Sequence, residues 1–173
     1  MKAMKKRVLV IDDDASVREA IEKVLTGAGY EVTTAADGVE ATDRFAPEKI
    51  DLVLLDLNLP CRSGWDVFAH LTTPHPTLPV IIITGMPNQH QTALAAGVGA
   101  LMEKPIEVPA LLHTMDELLA EPAEERLRRM CGHQRDTKYL ARPNAIAAEK
   151  TPRVATEPAS RRRAQGVRRW RAS

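Results

Sequence analysis

Between Lys6 and Ala120 the hydrophobic pattern switches repeatedly between two periods. Val8–Asp12 is a short apolar run rich in β-branched residues, with charge on both sides. The following SVREAIEKVLTGAG places Val17, Ile21, Val24 and Leu25 at helical spacing. Ser16 and Glu19 fit a capping box at its start, Asp14 is an alternative cap, and Gly27 and Gly29 suit its end. The alternation continues with a strand over Glu31–Ala35, a helix over Gly38–Phe45 and a strand over Leu52–Leu55. A short helix over Trp65–Leu71 precedes Val80–Thr84, the most β-rich run in the chain. Then come a small helix over Gln89–Ala96, a weak strand over Ala100–Glu103 and an amphipathic helix over Val108–Leu119. Short apolar strands alternating with helices imply a parallel sheet covered on both faces. With right-handed crossovers this is an open, doubly wound α/β domain.

After Ala120 the pattern fails. EERLRRM has the composition for one or two helical turns, but Pro143, Pro152 and Pro158 follow, with the cluster Arg161-Arg162-Arg163 and a basic end containing Trp170. Leu127, Leu140, Ile146, Val154 and Val167 are the only Leu, Ile or Val side chains beyond residue 120, too few to offset the ordering entropy of a packed domain. The expected organisation is therefore a domain over 1–120 and a basic tail over 121–173, disordered or partly helical, with no recognised output domain.

Charge sharpens that division. The net charge of +1 conceals 10 Lys and Arg against 17 Asp and Glu in residues 1–120, and 14 against 6 beyond them. Hydrophobic residues make up 44% of the chain but aromatics only 3%, so the core is aliphatic. There is no apolar run long enough to span a bilayer, and Val8–Ile11 is too short for a signal-peptide core, so the expected location is the cytoplasm. Cys61 and Cys131 are far apart and suggest neither a disulfide framework nor a zinc site. His70, His75, His90, His113 and His133 show no metal-ligand spacing.

The chemistry lies at the strand ends. Ligands of open α/β sheets sit outside the carboxyl ends of the strands. There the first strand carries Asp12-Asp13-Asp14, the third Asp56, the fourth Thr84 and the fifth Glu103-Lys104-Pro105. Taken singly, Thr84 is an ordinary strand-end residue, Lys104 a surface lysine and Asp14 a helix cap. Asp56 is harder to dismiss, because a carboxylate next to a buried run is costly without compensation. Crowded carboxylates repel unless a cation joins them, and a magnesium ion with carboxylate, water and phosphate ligands meets that need. One Asp is then available as a nucleophile that forms an acyl phosphate. A lysine supplies a point charge to such a group, and a hydroxyl a hydrogen bond.

VLVIDDDASVR, LVLLDLNLPCRSG, VIIITG and GALMEKPIE resemble the signature segments of the response-regulator receiver domain, chemotaxis-regulator-like, in the family's order and spacing over residues 6–120. The resemblance implies a flavodoxin-like five-stranded parallel sheet of order 2-1-3-4-5 in a two-component phosphorelay. It implies that Asp56 accepts a phosphoryl group from a histidine kinase or histidine phosphotransfer protein and so alters binding to a downstream protein target. It makes Asp12 and Asp13 the acidic pair for Mg2+, Asp13 directly and Asp12 partly through water, with Asp56 and the Asn58 backbone carbonyl completing the set. Thr84 and Lys104 would bind the phosphoryl group, and Pro60 and Gly64 would shape the adjoining loop. The Lys104–Pro105 bond is often cis in this family.

The chain departs from the family at Leu101, where Tyr or Phe is usual and swings inward on activation, and at Gly85, where Ala is common. The implied protein is a switch that phosphorylates and dephosphorylates itself, not an enzyme with turnover. Two other readings of the same domain are a nucleic-acid-binding regulator using the basic tail and a phosphorylation-silent pseudo-receiver. An aspartyl-nucleophile phosphatase of the dehalogenase type would be a true enzyme, but its D-x-D motif belongs on the first strand, where this chain has Asp12-Asp13.

Overall fold

The computed structural model describes residues 5–132 and 137–142. Its elements are β1 (Arg7–Ile11), α1 (Ala15–Gly27), β2 (Glu31–Ala35), α2 (Gly38–Arg44), β3 (Leu52–Asp56) and α3 (Gly64–Thr72). They continue with β4 (Val80–Thr84), α4 (His90–Ala96), β5 (Ala100–Glu103), α5 (Val108–Ala120), α6 (Ala123–Met130) and β6 (Lys138–Leu140). All the strand pairings are parallel, in the order β2-β1-β3-β4-β5-β6. The expected order 2-1-3-4-5 is present, and a sixth strand extends it.

Alternation along the strands divides the core between the two faces. Leu9, Ile11, Val53, Leu55, Ile82 and Leu101 face the side covered by α2, α3 and α4. Val8, Val10, Leu52, Leu54, Ile81, Ile83, Ala100 and Met102 face α1 and α5, meeting Ile21, Leu25, Leu111 and Met115. The same parity carries beyond the strand ends. Asp12, Asp56 and Lys104 fall on the α1/α5 side, whereas Thr84 and Glu103 fall on the α4 side.

The expected five-stranded sheet gains a sixth strand, which comes from the segment expected to be disordered or partly helical. Residues 121–142 contribute α6 and β6, which return the chain to the sheet edge. Met130 and Leu140 pack against the two halves of the core, and arginine hydrogen bonds add to them. Arg126 donates to the Thr77 carbonyl at 3.1 Å and to that of Leu118 at 2.6 Å, satisfying an orphan carbonyl at the end of α5. Arg129, itself buried, forms a two-pronged pair with Glu121 at 2.7 and 2.6 Å. Gly97 ends α4 in the left-handed region (φ 70°), and a Cβ there would lie 2.9 Å from the Arg129 carbonyl and the Met130 Cα. The cluster Arg161–Arg163, Trp170 and His133 lie outside the described residues.

Local capping also differs from the expected box. Asp14, not Ser16, caps α1, accepting from the Ser16 and Val17 backbone amides at 2.8 and 3.2 Å. Trp65 lies in the first turn of α3, packs edge-on against Phe68 at 5.9 Å, and donates from Nε1 to Gln89 at 3.1 Å.

Candidate functional site

The carboxyl ends of β1, β3, β4 and β5 surround an open depression of about 470 Å3. Asp13, Asp14, Asp56, Asn58, Gly85, Met86 and Lys104 line it. Strand pairing explains the convergence: Val10 registers with Leu54, Asp56 with Ile83, and Thr84 with Glu103. The chain therefore reaches the same level on each strand as it leaves the sheet. β3 is wholly buried through Asp56 because it is central. Gly64 then lets α3 begin against that strand end. A Cβ on Gly64 would come within 2.4 Å of the Leu57 Cα and 2.5 Å of the Asp56 carbonyl.

Asp12 and Asp56 are nearly inaccessible, at 2% and 3% exposure, and Asp13 is exposed beside them. One oxygen from each of the three lies within 4.8 Å of the others. The Lys104 ammonium sits between the buried pair, 2.7 Å from Asp12 Oδ2 and 2.5 Å from Asp56 Oδ2. Their remaining oxygens accept backbone amides at 2.9 Å, Asp12 Oδ1 from Asp14 and Asp56 Oδ1 from Asn58. Burial pushes the Asp12 carboxyl above its ordinary value, and the bonds to Lys104 and Asp14 offset this only in part. Burial works against the Lys104 ammonium too, but the hydrogen bonds and charges of Asp12 and Asp56 outweigh it and hold its pKa above the usual lysine value.

Thr84 is fully buried, and its Oγ1 accepts from the Met86 amide at 3.0 Å. Its carbonyl accepts from the Lys104 amide at 2.9 Å, joining the hydroxyl strand to the lysine strand. Lys104–Pro105 is cis, as the resemblance implies. Leu101 is fully buried in the α4-side core.

Asp12, Asp13, Asp56, Asn58, Thr84 and Lys104 are thus all brought to one strand-end cluster. The other candidates are elsewhere. Cys61 and Cys131 are exposed and free. His75 packs on Phe45, His113 lies 3.6 Å from Glu117, and His90 stacks on Tyr139 at 4.4 Å. Arg18 is a site residue the sequence reading passed over. Its Nη1 donates to the Asp12 and Asp13 carbonyls at 2.7 and 3.1 Å, fixing the acidic loop. Its signal was its place on the helix directly after the acids, four residues past Asp14.

The donor set fits a hard divalent cation. Three carboxylates that carry only one ammonium offer oxygen ligands and excess negative charge, the preference of Mg2+. A separate apolar groove of about 310 Å3 runs between α1 and the start of α5, lined in part by Val17, Val24, Ile106 and the stem of Lys104. Among the described residues no helix is long and apolar enough to cross a membrane.

An open α/β sheet with acids on its first and third strands, a hydroxyl on the fourth and a lysine after the fifth defines a receiver-type domain. The sequence model of the response regulator receiver domain matches residues 8–116, and the chain belongs to that family. It is 35% identical over 124 residues to the response regulator MprA of Mycobacterium bovis, a match covering 70% of this chain and 54% of that protein. The MprA of Mycobacterium sp. strain KMS is 36% identical over 115 residues, covering 65% and 50%. The chain thus spans about half the length of these curated relatives. A CheY-like receiver domain protein from Methanospirillum hungatei superposes with a TM-score of 0.64 at 29% identity, covering 71% of this chain and 97% of that one. TrrA of Thermotoga maritima, solved in complex with Mg2+ and BeF, gives a TM-score of 0.61 at 28% identity, covering 65% and 98%.

Proposed function

We propose that the protein is a phosphorylation-dependent signalling switch in a two-component phosphorelay, with Asp56 as the phosphoacceptor. The observation that carries this reading is the Asp56 carboxylate at the end of a buried central strand, flanked by Asp12 and Asp13 and touched by Lys104. A carboxylate oxygen of Asp56 attacks phosphorus, a P–O bond forms, and the bond to the donor breaks. With a phosphohistidine donor the leaving group is the imidazole, which takes up a proton from solvent.

Lys104 neutralises charge that builds on the phosphoryl oxygens, and the Thr84 hydroxyl donates to one of them. Asp12, Asp13, Asp56 and the Asn58 carbonyl would hold Mg2+, which when bound neutralises charge on the carboxylates and the transferring group. The protein keeps the phosphoryl group as a state and does not turn over a substrate, so it acts as a switch. The donor is a histidine kinase or histidine phosphotransfer protein, which must bring its phosphohistidine over the depression, and the apolar groove beside α1 adjoins that approach. A donor of this kind would meet the protein in the cytoplasm. The output is binding to a downstream protein. The test is intact mass spectrometry after incubation with acetyl phosphate and Mg2+. The expected result is one hydroxylamine-labile phosphoryl adduct, absent from Asp56→Asn and from an EDTA control. An unmodified wild-type chain would refute the reading in favour of a silent interaction module.

A further inference from the structure

We propose that residues 137–142 form an intramolecular clamp that holds the loop after β4 in its unphosphorylated arrangement, so that phosphorylation of Asp56 and docking of β6 oppose one another. This inference rests on the reading of Asp56 as phosphoacceptor. β6 registers on β5, with Leu101 opposite Tyr139 and Met102 opposite Leu140. Its lower end is fixed by the Lys138 amide on the Gly99 carbonyl at 3.2 Å and the Thr137 hydroxyl on that of Val98 at 2.8 Å.

The upper end reaches the frame of the site at three points. Arg142 Nη2 donates to the Gly85 carbonyl at 2.7 Å, one residue after Thr84. The Tyr139 hydroxyl donates to Glu103 at 2.8 Å, one residue before Lys104, and Arg142 Nε lies 3.5 Å from the same carboxylate. The Tyr139 ring stacks on His90, the first residue of α4, at 4.4 Å. One short segment therefore holds the residue after the hydroxyl, the residue before the lysine and the helix between them.

The direction of the coupling follows from the arrangement that the clamp stabilises. In it, Lys104 is engaged by both buried carboxylates, and the Thr84 oxygen accepts the Met86 amide. A phosphoryl group on Asp56 enters a depression lined by Gly85 and Met86 and recruits Lys104 away from Asp12. The 85–86 loop must adapt, and Arg142 resists because its acceptor is in that loop. Leu101 is buried and lacks the ring that would link loop movement to the surface, whereas its cross-strand partner Tyr139 bears one on the same face. Contacts that favour one state must weaken when a ligand favours the other, and the reciprocal effect on ligand affinity is equal.

The test uses the full chain with Mg2+ and beryllofluoride, comparing wild type, Arg142→Ala, Tyr139→Phe and Asp56→Asn. Amide hydrogen exchange is followed over 137–142, and beryllofluoride affinity is measured by titration. Beryllofluoride is expected to speed exchange of that segment in wild type by roughly fivefold or more, and each clamp variant to bind beryllofluoride roughly five- to tenfold more tightly. Binding that depends on Asp56 but leaves exchange over 137–142 unchanged would overturn the clamp and leave the phosphoacceptor reading standing. Slower exchange, or weaker binding by the variants, would also overturn it by reversing its sign. Failure of wild type to bind beryllofluoride would remove the phosphoacceptor reading and the clamp with it.

Discussion

At the carboxyl ends of the strands, Asp12, Asp13 and Asp56 have the single ammonium of Lys104 among them. At the amino ends, the guanidinium groups of Arg126 and Arg129 find Glu121 and the Thr77 and Leu118 carbonyls. Both ends bury charge. The lower end sets two guanidinium groups against one carboxylate and completes their bonds with backbone carbonyls, leaving the Nε of each buried without a hydrogen-bond partner. The upper end remains over-supplied with negative oxygens and is open to solvent. The first arrangement stabilises a fold, and the second leaves a demand that a cation and a phosphoryl group can meet. Buried charge enclosed among groups of the chain itself reads as architecture, and buried negative charge facing an open depression reads as function.

The largest expected effect separates the two ends. Arg129→Ala leaves Glu121 without its two-pronged partner and should lower unfolding free energy by about 3 kcal/mol in urea titration. Beryllofluoride affinity of the folded variant should change little. A large loss of affinity would show that the ends are not separable in this way.

Lys104→Ala acts at the other end. The rate of phosphorylation by acetyl phosphate should fall on the order of 100-fold, measured by mass spectrometry at early times. The same substitution tests the pH sign. The Lys104 pKa is raised in the folded protein, so its contribution is complete below the unfolded lysine value of about 10.4 and is lost as pH rises through the folded value. Wild type should therefore lose stability in that alkaline range by a component that Lys104→Ala lacks.

A smaller effect of opposite sign is expected at Asp12. Burial raises its carboxyl, so at neutral pH the ionised group is a net cost to the fold. Asp12→Asn should raise the metal-free Tm at pH 7, measured by thermal unfolding. The gain should disappear below about pH 3.9, where both states carry the proton, and Mg2+ should narrow it by stabilising wild type alone.

The smallest effect belongs to the amino ends of the strands, just before β2. The Tyr30 hydroxyl donates to Asp116 at 2.7 Å, and burial followed by that carboxylate pushes its pKa up to about 12. Tyr30→Phe should cost about 0.5–1 kcal/mol below the unfolded tyrosine value of about 10, the difference closing as pH rises through about 12. Ultraviolet titration of the phenol checks the midpoint.

The same contrast explains what was legible in the sequence. The five core strands and their helices could be read because each carries its own apolar period, and the site residues because each stands at the end of such a run. Asp56 is the clearest case, a carboxylate directly after Leu52–Leu55. β6 was not legible, since Lys138–Leu140 is three residues long with one aliphatic side chain. Its stability comes from the edge of β5 and from Thr137, Tyr139 and Arg142, whose acceptors are 36 to 57 residues away. α6 was legible as a helix but not as a packed one, because arginine hydrogen bonds to distant carbonyls leave no period in the sequence. Asp14 and Ser16 both suit a cap, and only the backbone geometry chose Asp14.

The most direct measurement is to locate the phosphoryl group. Wild-type protein is charged with acetyl phosphate and Mg2+, the acyl phosphate is reduced with borohydride, and the modified aspartate is identified by peptide sequencing in the mass spectrometer. The account requires a single reduced residue, at Asp56. Reduction at Asp12 or Asp13 with Asp56 untouched would contradict it, because the buried carboxylate at the end of β3 would then be a bystander.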